Sequence, residues 1–367
     1  MSTTHELMFQ DARSLGNICT ESVDLIVTSP PYPMIAMWDE AFGEMNSKIA
    51  AALNNQNSKN AYKLMHKVLD SVWEEMFRVL KLGGFACINI GDATRKTGEE
   101  FCLYPNHAML INSLSDIGFK ILPDILWRKQ TNAPNKFLGS GMLPAGAYVT
   151  LEHEYILIAR KGAKREFRTY EARANRYESA IFWEERNVWY SDIWMDIKGA
   201  KQKLRNNPSR ARNASFPFEL AYRLINMYSV KNDVVLDPFA GTGTTMAAAA
   251  ASSRNSIGVE IVPGFRQIMS EQIRNVDFAK QVQENRLRNH QLFAEKCMQT
   301  NNPLKYMNKV HQIPVKTAQE KDIFIDSIQK IEQVSSDKFE AQYSGFPTPN
   351  SCDNLQVSNS NITYVYS

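Results

Sequence analysis

Short apolar runs alternate with stretches of helical periodicity along this chain. The runs at 6–10 (ELMFQ), 23–28 (VDLIVT), 84–90 (GFACINI), 121–128 (ILPDILWR), 153–159 (HEYILIA), 233–237 (DVVLD) and 256–261 (SIGVEI) have the length and bounding residues of buried strands. Between them, Leu64, Val68, Val72, Phe77 and Leu80 fall near one face of a helix over 62–80, which stops at Lys81-Leu82-Gly83-Gly84. Pro217 opens a helix over 218–228, an alanine-rich helix covers 244–252, and 265–297 reads as one long polar helix or a broken one. Such alternation predicts a seven-stranded, mostly parallel, doubly wound α/β sheet with helices on both faces. Past residue 335 the chain is rich in Ser, Asn and Gln, with Pro347 and Pro349, which predicts a poorly ordered tail.

Two of the strands end on chemistry. The run 23–28 stops at Ser29-Pro30-Pro31-Tyr32. Prolines fix φ and lack an N–H, so the pair makes a stiff corner with free carbonyl acceptors. By itself this is a rigid loop with Tyr32 as packing. It is also what an exocyclic amino group of a base requires: the Ser29 Oγ and the Pro30 carbonyl can hold both amino hydrogens and favour a tetrahedral nitrogen. Tyr32 then offers a stacking face to a base extruded from a duplex.

The second is Asp237-Pro238-Phe239-Ala240-Gly241-Thr242-Gly243-Thr244-Thr245, a strand end, a tight turn and a helix start. Its glycines let a ligand approach the backbone at the carboxyl end of a strand. A dinucleotide fingerprint would place a third glycine where Met246 stands, and Asp237 would repel a pyrophosphate. A cation fits better, as in the ammonium and sulfonium groups of S-adenosylmethionine (SAM). The next strand ends at Glu260, where a carboxylate can accept both hydroxyls of a ribose.

Composition narrows the field. The chain has 367 residues, 44% of them hydrophobic, enough for one large core or two. No apolar run has the length of a membrane span and the N-terminus lacks a secretory pattern, so the expected location is cytoplasmic. Five scattered cysteines argue against disulfides and structural zinc, and the expectation is no metal. Net charge is +3, yet the segment from Arg160 to Arg212 holds 14 Lys and Arg against 7 Asp and Glu. Aromatics from Phe167 to Trp194 are interleaved with those charges, which suits either a small core of its own or a phosphate-tracking surface.

These motifs, in this order, resemble the SAM-dependent DNA amino-methyltransferases that modify cytosine N4 or adenine N6, in the β arrangement that places the catalytic half before the cofactor half. The resemblance spans roughly residues 5 to 265 and implies their Rossmann-like methyltransferase sheet. It assigns Ser29, Pro30, Pro31 and Tyr32 to catalysis. It assigns Asp237, Pro238, Phe239, Ala240, Gly241, Gly243, Thr244 and Thr245 to the SAM loop, and Glu260 to the ribose. Asp11 and Ala12 resemble the adenine contact, and Phe216 and Pro217 the edge that lines the methionine end. Here Asn213-Ala214-Ser215 stands where the family often has His-Pro. The stretch 126–134 resembles a strand and loop near the target base.

The implied partners are double-stranded DNA and, in function, a cognate restriction endonuclease, unless the enzyme is an orphan. Ser29 in place of the aspartate common among adenine enzymes favours cytosine N4, with adenine N6 as the alternative. Carbon-5 methylation needs a cysteine nucleophile on a turn after a strand, and Cys87 sits inside one. An RNA methyltransferase and a non-catalytic nucleic-acid-binding protein are the remaining alternatives. The implied organisation is a catalytic half (1–161), an inserted target-recognition region (162–213), a SAM-binding half (214–299) and a C-terminal extension (300–367).

Overall fold

A computed structural model describes residues 1–98, 100–129, 138–199, 216–300 and 303–345. Ten of its strands form one sheet: β1 (Ser2–Phe9), β2 (Val23–Thr28), β3 (Leu80–Ile90), β4 (Phe119–Arg128), β5 (His153–Lys161), β6 (Ile193–Trp194), β7 (Val234–Asp237), β8 (Asn255–Glu260), β9 (Asp326–Ser335) and β10 (Lys338–Gly345). Their order across the sheet is β6-β4-β5-β3-β2-β7-β8-β1-β10-β9. The five from β3 to β1 are parallel, and β5 runs against both neighbours. All seven expected strands are present, and the doubly wound α/β class stands.

The central strands read as continuous apolar runs because both of their faces are covered. On β2 every residue is buried, and the side chains alternate between two cores. Ile26, with Ala86, Ile88, Leu157 and Ala159, joins the core under helices Ser58–Val79 and Asn106–Ile117. Leu25 and Val27, with Cys87, Ile156 and Ile158, join the core under helices Phe218–Tyr228 and Thr244–Ala251. Each buried Val, Leu or Ile among them contributes about 1.5–3 kcal/mol. Cys87 is fully buried, and burial pushes its thiol far above the ordinary range, which suits core packing and not nucleophilic attack.

The long polar helix is broken: Arg266–Ile273 ends before Asn275, whose side chain accepts from the Phe278 N–H and caps a second helix, Val276–Gln299. Among the described residues no helix is long and apolar enough to cross a membrane.

The expectation of a loose tail past residue 335 is corrected for its first part. Strand β10 alternates inward and outward, with Phe339, Ala341 and Tyr343 buried, and it pairs antiparallel with β1. Tyr343 donates to the Ala250 carbonyl at 2.7 Å and meets the Thr3 hydroxyl at 2.8 Å. Eight polar-rich residues with a two-residue period thus extend the sheet. Residues 346–367, with Pro347 and Pro349, lie outside the described residues.

If this hairpin is part of the core, Phe339→Ala should lower the stability measured by denaturant unfolding by roughly 3–5 kcal/mol. Val334→Ala, on the outer strand at 53% exposure, should cost under about 0.5 kcal/mol.

Candidate active site

Strands β2 and β7 are neighbours, with Leu236 opposite Ile26, so the two motifs begin side by side at the same end of the sheet. The Asp237 carboxylate closes the seam. It accepts from Thr28 Oγ1 and Thr245 Oγ1, each at 2.6 Å, and from the Phe239 N–H at 3.0 Å. Burial raises its pKa to about 6 against the pull of those donors. Thr28, one residue before the Ser-Pro-Pro-Tyr turn, is therefore hydrogen-bonded to the first residue of the glycine turn.

Beyond that seam lies a cleft of about 130 Å³. Ser29, Pro30 and Pro31 form one wall, and Asp237, Pro238, Phe239, Ala240, Gly241 and Thr244 form another. Glu260, Asp11, Ala12 and Phe216 complete it. Two backbone N–H groups, of Gly241 and Val262, hold the Glu260 carboxylate at 2.9 Å each, leaving lone pairs for a ribose. Burial raises the Glu260 pKa.

Gly243 has φ of 88° and stands close to Met269, so it starts the helix at Thr244 in a conformation that disfavours other residues. Thr245 is buried and spends its hydroxyl on Asp237; Pro217 caps the helix Phe218–Tyr228 beside the cleft residue Phe216. Asp11 is committed to Arg13, through the backbone N–H and the guanidinium. Burial pushes its carboxyl up, but those bonds outweigh it and hold the pKa below its usual value. Asn213-Ala214-Ser215 lie outside the described residues.

Tyr32 sits behind the cleft wall, 8% exposed, against Gly91. Its hydroxyl lies 3.0 Å from Ser29 Oγ, donates to Glu154 Oε2 at 2.9 Å and accepts from Asn89 Nδ2 at 2.7 Å. Glu154 also accepts from Asn89 Nδ2 and Lys129 Nζ, both at 2.7 Å. Burial, then the Glu154 charge, push the Tyr32 phenol well above its ordinary range.

Glu154, Asn89 and Lys129 are absent from the site residues assigned by motif. Their signal lies in the runs themselves: Asn89 is a lone amide in an apolar strand, and Glu154 a carboxylate at the mouth of another. Trp38, Met45 and Phe265, which also line the cleft, carry no comparable signal.

The basic insertion is placed differently from the expectation. Because β5 is antiparallel, Lys161 leaves the sheet beside the starts of the parallel strands, about 20 Å from the cleft by the rise of β2. There Arg165 pairs with Asp233 at 2.7 Å, and Asn175 donates to the Lys231 carbonyl. Phe182, Trp189 and Trp194 are core residues. A separate cleft at this far end, lined by Arg165, Arg176 and Tyr190, contains neither motif. Only the last described residues return: β6 pairs parallel with β4, and the Ile197 carbonyl accepts from Trp127 Nε1. Residues 200–215 and 130–137 lie outside the described residues. The connection between β4 and β5 is at the cleft end and exposes Met142 at 85% and Val149 at 86%.

A sequence model of the N6/N4 DNA methylases matches residues 23–272. The chain belongs to this DNA methylase family. It is 47% identical to the type II methyltransferase M.MthZI of Methanothermobacter thermautotrophicus, over 94% of this chain and 96% of that one. Identity to the type II methyltransferase M.MjaI of Methanocaldococcus jannaschii is 50%, over 74% of this chain and 92% of that one. A Thermus thermophilus protein assigned as a DNA modification methylase, solved with S-adenosyl-L-methionine, matches at TM-score 0.58 and 34% identity, covering 73% of this chain and 93% of that chain. The chain is a methyltransferase with SAM as cofactor. The lining of the cleft fits that group: Glu260 keeps lone pairs for a ribose, and Asp237 sets a carboxylate against a cation.

The pH dependence follows from Asp237. Its folded pKa lies above the unfolded value, so the apo fold gains stability as pH falls through about 6, while the cleft loses a negative charge. The dissociation constant for SAM, measured by calorimetry, should therefore rise below that pH, by up to about tenfold per unit. Asp237→Asn should bind SAM weakly with a flatter profile, the residual slope coming from Glu260.

Proposed function

We propose that this methylase transfers the methyl group of SAM to the exocyclic N4 amino group of cytosine within a specific sequence of duplex DNA. The observation that carries this reading is the Ser29 hydroxyl on the cleft wall, flanked by Pro30 and opposite the glycine turn. A neutral oxygen there, in place of a carboxylate, is the feature associated with cytosine.

In this reading the base leaves the duplex and enters beside Ser29. Ser29 Oγ and the Pro30 carbonyl accept the two amino hydrogens, Pro31 keeps the corner rigid, and the amino lone pair is turned toward the methyl donor. Tyr32, expected to stack on the base, has its ring behind the cleft wall, and this reading gives it the task of holding the Ser29 hydroxyl, with Asn89 and Glu154 fixing its own. The proposed cofactor contacts run from Asp11 and Ala12 through Glu260 and the turn 237–244 to Phe216. SAM supplies an electrophilic methyl group; the chain supplies alignment, and the surplus amino proton leaves afterwards.

Sequence recognition is assigned to described segments at the cleft end: residues 138–152 of the β4–β5 connection, and, within the insertion 162–213, its return at residues 193–199. Names of the relatives support a restriction-modification role, with a cognate endonuclease acting on the same site.

Expression in a host without DNA modification, followed by single-molecule sequencing and nucleoside mass spectrometry, should reveal N4-methylcytosine in one sequence motif. N6-methyladenine in its place would overturn the base assignment. Ser29→Ala should lower kcat by roughly tenfold or more while SAM affinity is unchanged.

A further inference from the structure

The hydrogen bonds behind Ser29 have a direction, and it follows from counting protons. Glu154 faces three donors: Tyr32 OH, Asn89 Nδ2 and Lys129 Nζ. A carboxylate is acceptor only, so the single phenol proton of Tyr32 is committed to Glu154. Asn89 must present its nitrogen to this pair, since the opposite flip would set an amide oxygen against both the carboxylate and the phenol oxygen it now serves. Tyr32 oxygen, its own proton spent, can only accept. Ser29 Oγ is 3.0 Å away, so the Ser29 proton points back at Tyr32. What remains on the cleft side of Ser29 is a pair of lone pairs.

We propose that Glu154 is a positioning residue that sets the polarity of Ser29, making its hydroxyl an obligate acceptor toward the cleft and so selecting a methyl acceptor that bears N–H. This deepens the proposed amino-group reading and rests on it. An isolated serine hydroxyl serves as donor or acceptor with equal ease and would admit a ring nitrogen or carbonyl as readily as an amino group. The chain Glu154–Tyr32–Ser29 removes that freedom through a residue that touches neither substrate nor cofactor.

Glu154→Leu nearly preserves volume and removes the acceptor, whereas a glutamine would keep its amide oxygen toward Tyr32 and Asn89. With no acceptor at position 154 the Tyr32 proton is released toward Ser29, and the Ser29 proton is turned to the cleft to oppose the amino hydrogens. The expected result is a roughly ten- to hundred-fold fall in the single-turnover rate with SAM affinity unchanged. Tyr32→Phe keeps the ring and cuts the chain, with a smaller loss. In the double variant position 154 no longer communicates with Ser29, so Glu154→Leu should add little to Tyr32→Phe. Glu154→Asp, which keeps the acceptor, should recover part of the rate.

A residue that merely packs would give additive losses, accompanied by a fall in melting temperature and in SAM affinity. Additive losses, or full activity in Glu154→Leu, overturn the proposal. Should Glu154→Leu fail to fold, the comparison of Glu154→Asp with Tyr32→Phe decides: an acceptor-retaining variant no faster than Tyr32→Phe counts against it. The amino-group reading is scored separately, on wild type, by whether an amino-methylated base appears in the DNA.

Discussion

The site depends on one buried carboxylate. Asp237 is out of water, and three donors from three places hold it: Thr28 on the catalytic strand, Thr245 on the helix after the glycine turn, and the Phe239 backbone within the turn. Leaving any one acceptor atom unpaired there costs about 1–3 kcal/mol. The contact brings together residues 209 positions apart in the chain. It makes the cofactor turn and the catalytic turn a single piece.

A second layer of polar order stands behind the Ser-Pro-Pro-Tyr turn. Prolines fix the path of the chain there but cannot orient a hydroxyl. That is done by Tyr32, Asn89 and Glu154, the last two brought in from β3 and β5. A phenol in place of a plain aromatic ring at position 32 thus has a function in the interior. The two carboxylate-centred clusters have different tasks: Asp237 joins halves, and Glu154 directs protons.

Charge along the chain says little about the described part of the insertion. The segment from 160 to 199 holds nine Lys and Arg against seven Asp and Glu, the other five basic residues lying outside the described residues; Arg165 answers Asp24 and Asp233, and Phe182, Trp189 and Trp194 pack into the interior. Arginine on an aromatic face, as Arg165 lies over Phe167, serves internal packing as well as nucleic-acid contact. The side of the sheet to which the segment belongs follows from the antiparallel β5, a property of pairing and not of composition.

Local patterns in the sequence determined the seven main strands, the helices over Ser58–Val79, Phe218–Tyr228 and Thr244–Ala251, and the two turns, because buried strands read as apolar runs and turns demand Gly and Pro. The cleft-lining residues 29–31 and 237–241, with Glu260, were legible for the same reason: each ends a recognisable strand. Strand β10 was not, since its Ser-, Gln- and Lys-containing sequence becomes a strand only when Phe339 and Tyr343 find β1 to pack beside. Glu154 was not, because its meaning lies in atoms within hydrogen-bond reach across strands, whereas Lys129 falls in the stretch 126–134 whose sequence resembles a segment near the target base. Short-range periodicity is written along the chain, whereas which carboxylate meets which hydroxyl is decided only when distant strand ends become neighbours.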